Sequence, residues 1–138
     1  MPGLKTRPVG ATATLGKTGY PHLVSETGGT LDIATGPSQP GFNPIDLLYA
    51  ALAACLAMSA RIAARELGLA DSLSEVVARA TGDKATDGLS RIARFHVVMR
   101  FRGNLTPQQQ LLVIHRAEEI CTVSNSLASR PMIEIGEF

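Results

Sequence analysis

The chain has 138 residues, a formal net charge of +1, and acidic and basic residues in nearly equal number. This length is typical of one domain with a hydrophobic core. The near-neutral charge, together with an aromatic content of only four Phe and two Tyr and no Trp, excludes the basic surface and stacking platforms of a nucleic-acid-binding protein.

The N-terminal sequence MPGLKTRPVG lacks the apolar segment of a secretory signal. The longest apolar run is too short to span a bilayer and leads into Arg61 and Arg65. Two cysteines do not make a disulfide scaffold in a chain of this length. We therefore predict a soluble, cytoplasmic protein with no membrane partner, in which residues 1–8 form a flexible lead-in and residues 9–138 form a single domain.

Short β-like segments occupy the N-terminal third of the chain. Alternation over residues 11–15 predicts a strand, and Gly-Lys-Thr-Gly at 16–19 predicts the hairpin connection that follows it. Residues 20–25 and 30–34 predict a second and a third strand on either side of the Gly28-Gly29 break.

A long helix is predicted next, because its start and stop signals are complete. Asn43 is a good N-cap, Pro44 fits the first helical position, and Asp46 lies in the first turn near the positive end of the helix dipole. Gly68 can close the helix in a left-handed conformation. Cys55 lies at the middle of the helix among alanines. Since the helix is apolar nearly all round, a second subunit is expected to cover part of it.

The C-terminal half predicts two strands, a second helix and a last strand. Residues 74–81 and 92–101 are strand-like, and the second of these alternates strictly between apolar and polar faces. Thr106-Pro107 opens a helix that runs to about Cys121 and has one apolar face, and residues 131–136 close the chain. The order is therefore β-β-β-α-β-β-α-β, an α+β fold with mainly antiparallel sheets around a long central helix.

The two cysteines are the first candidates for chemistry. A free cysteine is usually a small buried hydrophobe, and spacing alone does not bring Cys55 and Cys121 together. Each lies on the apolar face of a capped helix, however, so a thiol pair forms if the two helices pack. A cysteine in such a niche reacts only if its thiolate is stabilised. From these residues alone, both interpretations stay open.

The other polar residues give weaker signals. His22, His96 and His115 lack the spacing of metal ligands, and the glycine pairs are turns rather than phosphate loops. Asp46 is most simply a carboxylate that stabilises a helix start. We predict neither a metal nor a cofactor.

The segments NPIDLLYAALAAC and ICTVSNSL together resemble the osmotically inducible protein/organic hydroperoxide resistance (OsmC/Ohr) family. The resemblance extends from about residue 10 to the end of the chain. It implies the β-β-β-α-β-β-α-β fold, an intertwined homodimer with two active sites at the subunit interface, and thiol-dependent reduction of hydroperoxides in oxidative-stress defence.

The resemblance assigns Cys55 as the peroxidatic cysteine and Cys121 as the resolving cysteine. The Cys55 sulfenate would condense with Cys121 to a disulfide, which an external dithiol would then reduce. An apolar niche would favour organic hydroperoxides over hydrogen peroxide, because each buried CH₂ contributes roughly 0.8 kcal/mol.

The sequence departs from the organic hydroperoxide resistance proteins at two places. Ile45 stands where those proteins have a glutamate, and the nearest carboxylate is Asp46, about 100° further round the helix. Lys17 stands in the first hairpin where an arginine is expected, and lysine cannot make the bidentate contact of a guanidinium. The pattern is therefore closer to the broader OsmC-like branch. We predict that Lys17, of the same or the partner subunit, stabilises the Cys55 thiolate, and we include Asp46 among the site residues.

Two other classes of function remain as alternatives. The first is a non-catalytic protein that binds a small ligand or senses redox state, which the isoleucine at position 45 favours. The second is an enzyme such as a hot-dog thioesterase, which also wraps a sheet around a long helix but needs a carboxylate in its pocket.

Overall fold

The computed structural model describes residues 6–138 and has the predicted α+β architecture with mostly antiparallel sheets. The elements are β1 (Ala11–Thr14), β2 (His22–Ser25), β3 (Thr30–Asp32), α1 (Pro44–Glu66), a 3-10 turn (Ala70–Ser72), β4 (Leu73–Lys84), β5 (Ile92–Gly103), α2 (Pro107–Ile120), α3 (Thr122–Asn125) and β6 (Met132–Ile135). The predicted order of elements is confirmed, with α3 as an additional short helix. The described residues form two compact units, and the boundary between them in the chain falls between Leu47 and Leu48. The assignment of residues 9–138 to a single domain stays a prediction, and the predicted lead-in lies partly outside the described residues.

The first unit contains a three-stranded antiparallel sheet in the order β1-β2-β3. The turn between β2 and β3 is closed by two backbone hydrogen bonds between Ser25 and the Gly28-Gly29 pair, 2.9 and 2.8 Å long. His22 and Asp32 face each other across β2 and β3 with 2.6 Å between the ring Nδ1 and a carboxylate oxygen. The three predicted strands are therefore present and slightly shorter than predicted.

Helix α1 begins with a reciprocal pair of hydrogen bonds. The Asp46 N–H donates to the Asn43 side-chain oxygen at 2.7 Å, and the Asn43 N–H donates to the Asp46 carboxylate at 3.1 Å. This capping box satisfies two backbone donors that the first turn would otherwise leave free. At the other end, Gly68 has φ +73, and the Leu69 N–H reaches back to the Ala64 carbonyl at 2.7 Å. The predicted start signal at Asn43 and the predicted stop signal at Gly68 are therefore both confirmed.

The second unit is built on a sheet in the order β4-β5-β6. Strands β4 and β5 are antiparallel, and β5 and β6 are parallel because α2 carries the chain back to the same end of the sheet. The predicted alternation of β5 is confirmed, since Phe95, Val97 and Met99 are buried while the residues between them are more exposed.

Strand β4 is longer than its apolar pattern indicates. The prediction ended it at residue 81 because Asp83 and Lys84 are polar, but both residues pair with β5. The Asp83 carboxylate lies 2.9 Å from Nε2 of His96 on the neighbouring strand. Cross-strand pairing of polar side chains therefore extends the hairpin beyond its apolar part.

Helix α2 starts with a second capping box. The Thr106 hydroxyl accepts from the Gln109 N–H at 3.1 Å, and the Gln109 side chain accepts from the Thr106 N–H at 2.9 Å. Its apolar face packs with α1 and β5 into one core. The fully or almost fully buried members of that core are Leu52, Leu56, Ala60, Ala63, Ala64, Phe95, Val97, Met99, Val113, Ile114, Ala117 and Cys121.

By length and composition alone, α1 could cross a membrane, since it is an apolar helix of 23 residues. The sequence-based argument that the apolar run is too short for this is therefore wrong. One such helix is weak support for a membrane protein, because core helices of soluble proteins have the same composition. The face of α1 that carries Leu52, Leu56 and Ala63 is fully buried in the core of the second unit, as in a soluble protein.

Candidate functional site

Cys55 lies at the border between the buried and the exposed face of α1. On one side of it the helix buries Leu52, Leu56 and Ser59, and on the other side it exposes Ala51 and Met58. The periodicity of the helix causes this arrangement, since residues three and four positions away lie on either side of the thiol. The thiol is therefore packed against the core and still half-buried rather than sealed.

Cys121 lies at the junction of α2 and α3 and is fully buried. Its N–H donates to the Ala117 carbonyl at 2.9 Å, which ends α2. Its sulfur accepts from the Ser124 N–H at 3.4 Å and so caps the start of α3. Cys121 itself is extended, with φ −77 and ψ 102, and so separates α2 from α3.

The structure brings Cys55 and Cys121 next to each other in the core of the second unit, although 66 positions separate them in the chain. Both cysteines are free, so no disulfide joins them. Packing of α2 against α1 accounts for this contact, because Ala117 and Cys121 lie in the same core cluster as Leu52 and Leu56.

The pKa of the Cys55 thiol is lowered from its ordinary value by its surroundings. Burial acts in the opposite direction and raises the pKa, but four hydrogen bonds together outweigh it. The donors are the backbone N–H of Val123, the Cys121 thiol, the Ser59 hydroxyl and the backbone N–H of Thr122. Hydrogen bonds donated to a thiolate stabilise the charged form, and a larger fraction of Cys55 is therefore ionised at a given pH.

The pKa of Cys121 is shifted the other way, to about 11. Burial is the main cause, and the hydrogen bond and the negative charge of Cys55 raise the pKa further against the lowering effect of the Ser124 and Val123 N–H groups. The pair is thus asymmetric, since its surroundings favour ionisation of Cys55 before Cys121. Such a pair has a nucleophile and a protonated partner in contact, which is the arrangement that disulfide-forming thiol chemistry requires.

Neither Lys17 nor Asp46, the other two predicted site residues, is among these donors to Cys55. Lys17 is exposed in the connection between β1 and β2. The Asp46 carboxylate is engaged with the Asn43 N–H at the start of α1. Cys55 is nine positions after Asp46 along α1, which is about half a turn out of phase and about 13.5 Å along the axis of a regular helix. A direct role for either residue at the thiols stays a prediction.

The sequence reasoning missed three of the donors to Cys55. Ser59 had a signal, since it is the single clearly polar residue between Leu47 and Ala60 and lies four positions after Cys55. No sequence signal could have indicated the N–H groups of Thr122 and Val123, because backbone donors do not depend on side-chain identity and α3 was not predicted.

Fold and site together define an α+β protein with an asymmetric thiol pair, one half-buried and one buried, between its two main helices. The chain matches the model of the OsmC-like protein family over residues 36–136 and belongs to that family. This match includes both cysteines and the helices that carry them.

Solved structures with the same fold cover almost the whole chain. The OsmC-like protein of Mycoplasma pneumoniae superposes with a TM-score of 0.80 at 18% identity, covering 97% of this chain and 98% of its own. The organic hydroperoxide resistance protein OhrB of Bacillus subtilis gives 0.72 at 22% identity, covering 96% and 98%. An organic hydroperoxide resistance protein of Legionella pneumophila gives 0.72 at 20% identity, covering 97% and 98%. These likenesses establish the fold, and no curated protein sequence matches the chain.

Proposed function

We propose that the protein is a thiol-dependent peroxidase that reduces organic hydroperoxides and acts in oxidative-stress defence in the cytoplasm. The observation that carries the proposal is the contact between a Cys55 thiol of lowered pKa and a Cys121 thiol that stays protonated. Two of the solved structures with this fold are described as organic hydroperoxide resistance proteins, which supports the same substrate class.

In the first step, the Cys55 thiolate attacks the terminal oxygen of the hydroperoxide. A new S–O bond forms and the O–O bond breaks, so that sulfur is oxidised and the peroxide is reduced. The alkoxide that leaves takes a proton from water and departs as the alcohol, and Cys55 becomes a sulfenic acid.

In the second step, the Cys121 sulfur attacks the sulfenic sulfur and water leaves, which produces a Cys55–Cys121 disulfide. Oxidation of Cys55 itself makes this attack by Cys121 easier. A neutral sulfenic acid no longer exerts the negative charge that raises the pKa of Cys121, so Cys121 ionises more easily once it is needed. An external dithiol then reduces the disulfide and becomes oxidised in exchange.

We propose that the working form is a homodimer. Helix α1 exposes a stripe of apolar or small side chains next to Cys55, formed by Ala51, Ala54, Met58 and Ile62. Exposed apolar stripes of this kind mark subunit contacts. A second copy that covers this stripe would also shield the open side of Cys55 and leave an apolar passage for an organic hydroperoxide.

The proposal is tested by treating the reduced protein with cumene hydroperoxide and counting free thiols. We expect both thiols to disappear with one equivalent of peroxide, to return with a dithiol, and to persist in Cys55→Ser. In Cys121→Ser we expect a sulfenic acid that dimedone traps. Thiols that stay inert would contradict the proposal and favour a protein that binds a small ligand, which the Ile45 departure also favours.

We further propose that Lys17 adds a cation to the thiol site, of the same or the partner subunit. Lys17→Met is then expected to raise the pKa of Cys55 and to slow its reaction with peroxide at neutral pH, whereas Lys17→Arg retains the charge. Equal thiol reactivity in all three proteins would rule out the lysine and leave the uncharged donors as the means of activation.

A further inference from the structure

Ser59 is a buried polar residue in a helix face that is otherwise apolar. Only 5% of it is exposed, and its neighbours Leu56, Ala60 and Ala63 belong to the hydrophobic core. Burying a hydroxyl costs free energy unless it is hydrogen-bonded. Alanine, which is abundant in α1, would fit the helix better and avoid this cost. Packing alone therefore does not explain why position 59 is a serine.

The position of Ser59 places its hydroxyl next to the Cys55 sulfur. Residues four positions apart on a helix lie about 40° apart around its axis and about 6 Å apart along it, so their side chains meet. A serine within a helix commonly donates instead to the carbonyl four residues earlier. Ser126 does this with the Thr122 carbonyl at 2.7 Å. The helix geometry instead places the Ser59 hydroxyl beside the Cys55 sulfur, where hydrogen bonding from Ser59 lowers the pKa of that thiol.

The other donors to that sulfur come from a different element. Val123 and Thr122 supply backbone N–H groups from α3, and Cys121 supplies its thiol. None of these donors carries a formal charge. Ser59 is the donor on the helix of Cys55 itself, and it approaches the sulfur from the buried side of α1.

We propose that Ser59 is a catalytic residue whose hydroxyl donates to the Cys55 thiolate, an uncharged donor that acts whether or not Lys17 adds a cation. The inference rests on the proposed function in one respect, since the thiolate that Ser59 stabilises is the proposed nucleophile. Because the hydroxyl lies beside the reacting sulfur and lowers its pKa, its loss is expected to change the ionisation of Cys55 directly.

The test uses the full chain with Cys121→Ser as the parent, so that Cys55 is the single thiol and residue 121 keeps a hydroxyl donor. The pKa of Cys55 is read from the ultraviolet absorbance of the thiolate as pH is raised, in this parent and after adding Ser59→Ala or Ser59→Thr. We expect Ser59→Ala to raise the pKa by about one unit, because a hydrogen bond to a charged group has about that effect. Ser59→Thr keeps the hydroxyl and is expected to keep the pKa.

Rates with a small disulfide probe provide a second readout. Below both pKa values, Ser59→Ala has about tenfold less thiolate, but each thiolate is about threefold more nucleophilic, and the rate falls about threefold. Above both pKa values, the variant is about threefold faster than the parent. A purely structural defect would not produce this crossing of the two pH profiles.

Ser124→Ala is the matched control. Ser124 is as buried as Ser59, at 6% exposure, and it contacts Cys121 through its backbone N–H, which the substitution retains. We expect an unchanged Cys55 pKa in this variant. An unchanged pKa in Ser59→Ala, or an equal rise in Ser124→Ala, would overturn the proposal.

The experiment is independent of peroxide turnover. If the pKa rises in Ser59→Ala while cumene hydroperoxide leaves the wild-type thiols intact, the proposed peroxidase function fails and the role of Ser59 stands. If the wild-type protein consumes peroxide and the pKa does not move, the function stands and the role of Ser59 fails. Alanine is the strongest helix former, so Ser59→Ala is expected to fold, and its thermal unfolding midpoint checks this.

Discussion

At the scale of single residues, the site depends on a difference between two identical functional groups. Both thiols are taken out of water, which raises the pKa of each, but only Cys55 receives enough hydrogen bonds to reverse the effect. Cys121 is deeper in the core and faces the negative charge of its partner. Burial and the hydrogen-bond donors around each sulfur therefore decide which of the two thiols ionises first.

The asymmetry predicts a pH dependence of alkylation. Only the thiolate reacts with iodoacetamide, so Cys55 is expected to be modified first at neutral pH and Cys121 to become reactive only as pH approaches about 11. Mass spectrometry of peptides after short exposure to iodoacetamide at a series of pH values measures the alkylation of each cysteine. Removal of the partner thiol in Cys55→Ser should lower the pKa of Cys121, so that Cys121 is alkylated at a lower pH than in the wild-type protein. Preferential modification of Cys121 in the wild-type protein would contradict the assignment.

The Thr122 N–H provides a second prediction at this scale. Thr122→Pro removes this donor to Cys55 while fitting the first position of α3, where proline is well tolerated. The extended conformation of Cys121, with φ −77 and ψ 102, is also compatible with a following proline. We expect the pKa of Cys55 to rise by up to about one unit.

Thr122→Ala is the control for this substitution, since it removes the hydroxyl and keeps the N–H. It should leave the pKa of Cys55 where it is, as measured by thiolate absorbance in the Cys121→Ser background. A shift of similar size in both variants would assign the effect to the side chain and not to the backbone donor.

At the scale of elements, the helix ends fix where the sulfur atoms lie. The capping box of Asn43 and Asp46 sets the first turn of α1, and the capping box of Thr106 and Gln109 sets the first turn of α2. Gly103 closes β5 with φ +129, and a side chain there would collide with the Ser72 carbonyl. These local features set where each helix begins, and hence where Cys55 and Cys121 lie along the chain of helical turns that packing then brings together.

Asp46 is expected to stabilise the start of α1, whether or not it also acts at the thiol. Asp46→Ala removes the acceptor for the Asn43 N–H and a favourable charge at the helix start, which should reduce the free energy of unfolding by about 0.5–1 kcal/mol. Asp46→Asn retains an acceptor and should recover part of this loss. Urea denaturation measures stability, and the pKa of Cys55 is recorded on the same variants. A change in that pKa would instead place Asp46 in the catalytic machinery.

At the scale of the whole molecule, the second unit leaves part of its central helix uncovered. Met58 is 59% exposed and Ile62 is 43% exposed on α1, beside the half-buried Cys55. A helix that is apolar on this side as well as on its core side is stable in water only if something covers it. A second copy of the chain provides such cover in the proposed homodimer.

Met58→Glu is therefore expected to weaken the dimer. The introduced carboxylate lies one helical turn before Arg61, so the helix itself should tolerate it, while the subunit contact would have to bury a charge. Sedimentation velocity over a range of protein concentrations should show a monomer where the wild-type protein is dimeric. Leu89→Glu changes a residue that is 83% exposed in the connection between β4 and β5, and its sedimentation should match wild type. A wild-type protein that sediments as a monomer would refute the homodimer.

The sequence by itself determined the order of the elements, both helix starts, the alternation of β5 and the family resemblance that pointed to Cys55 and Cys121. These features depend on local signals: a cap, a proline, a glycine, or a period of two or 3.6 residues. Local signals could not predict that β4 extends to Lys84, because the pairing of Asp83 with β5 is a long-range interaction. Only the tertiary structure decided that the two sulfur atoms touch, which of them ionises first, and that Ser59 and the N–H groups of α3 surround Cys55. The physical reason is that a pKa responds to burial and to donors in space, and packing brings these together from positions that no local pattern relates.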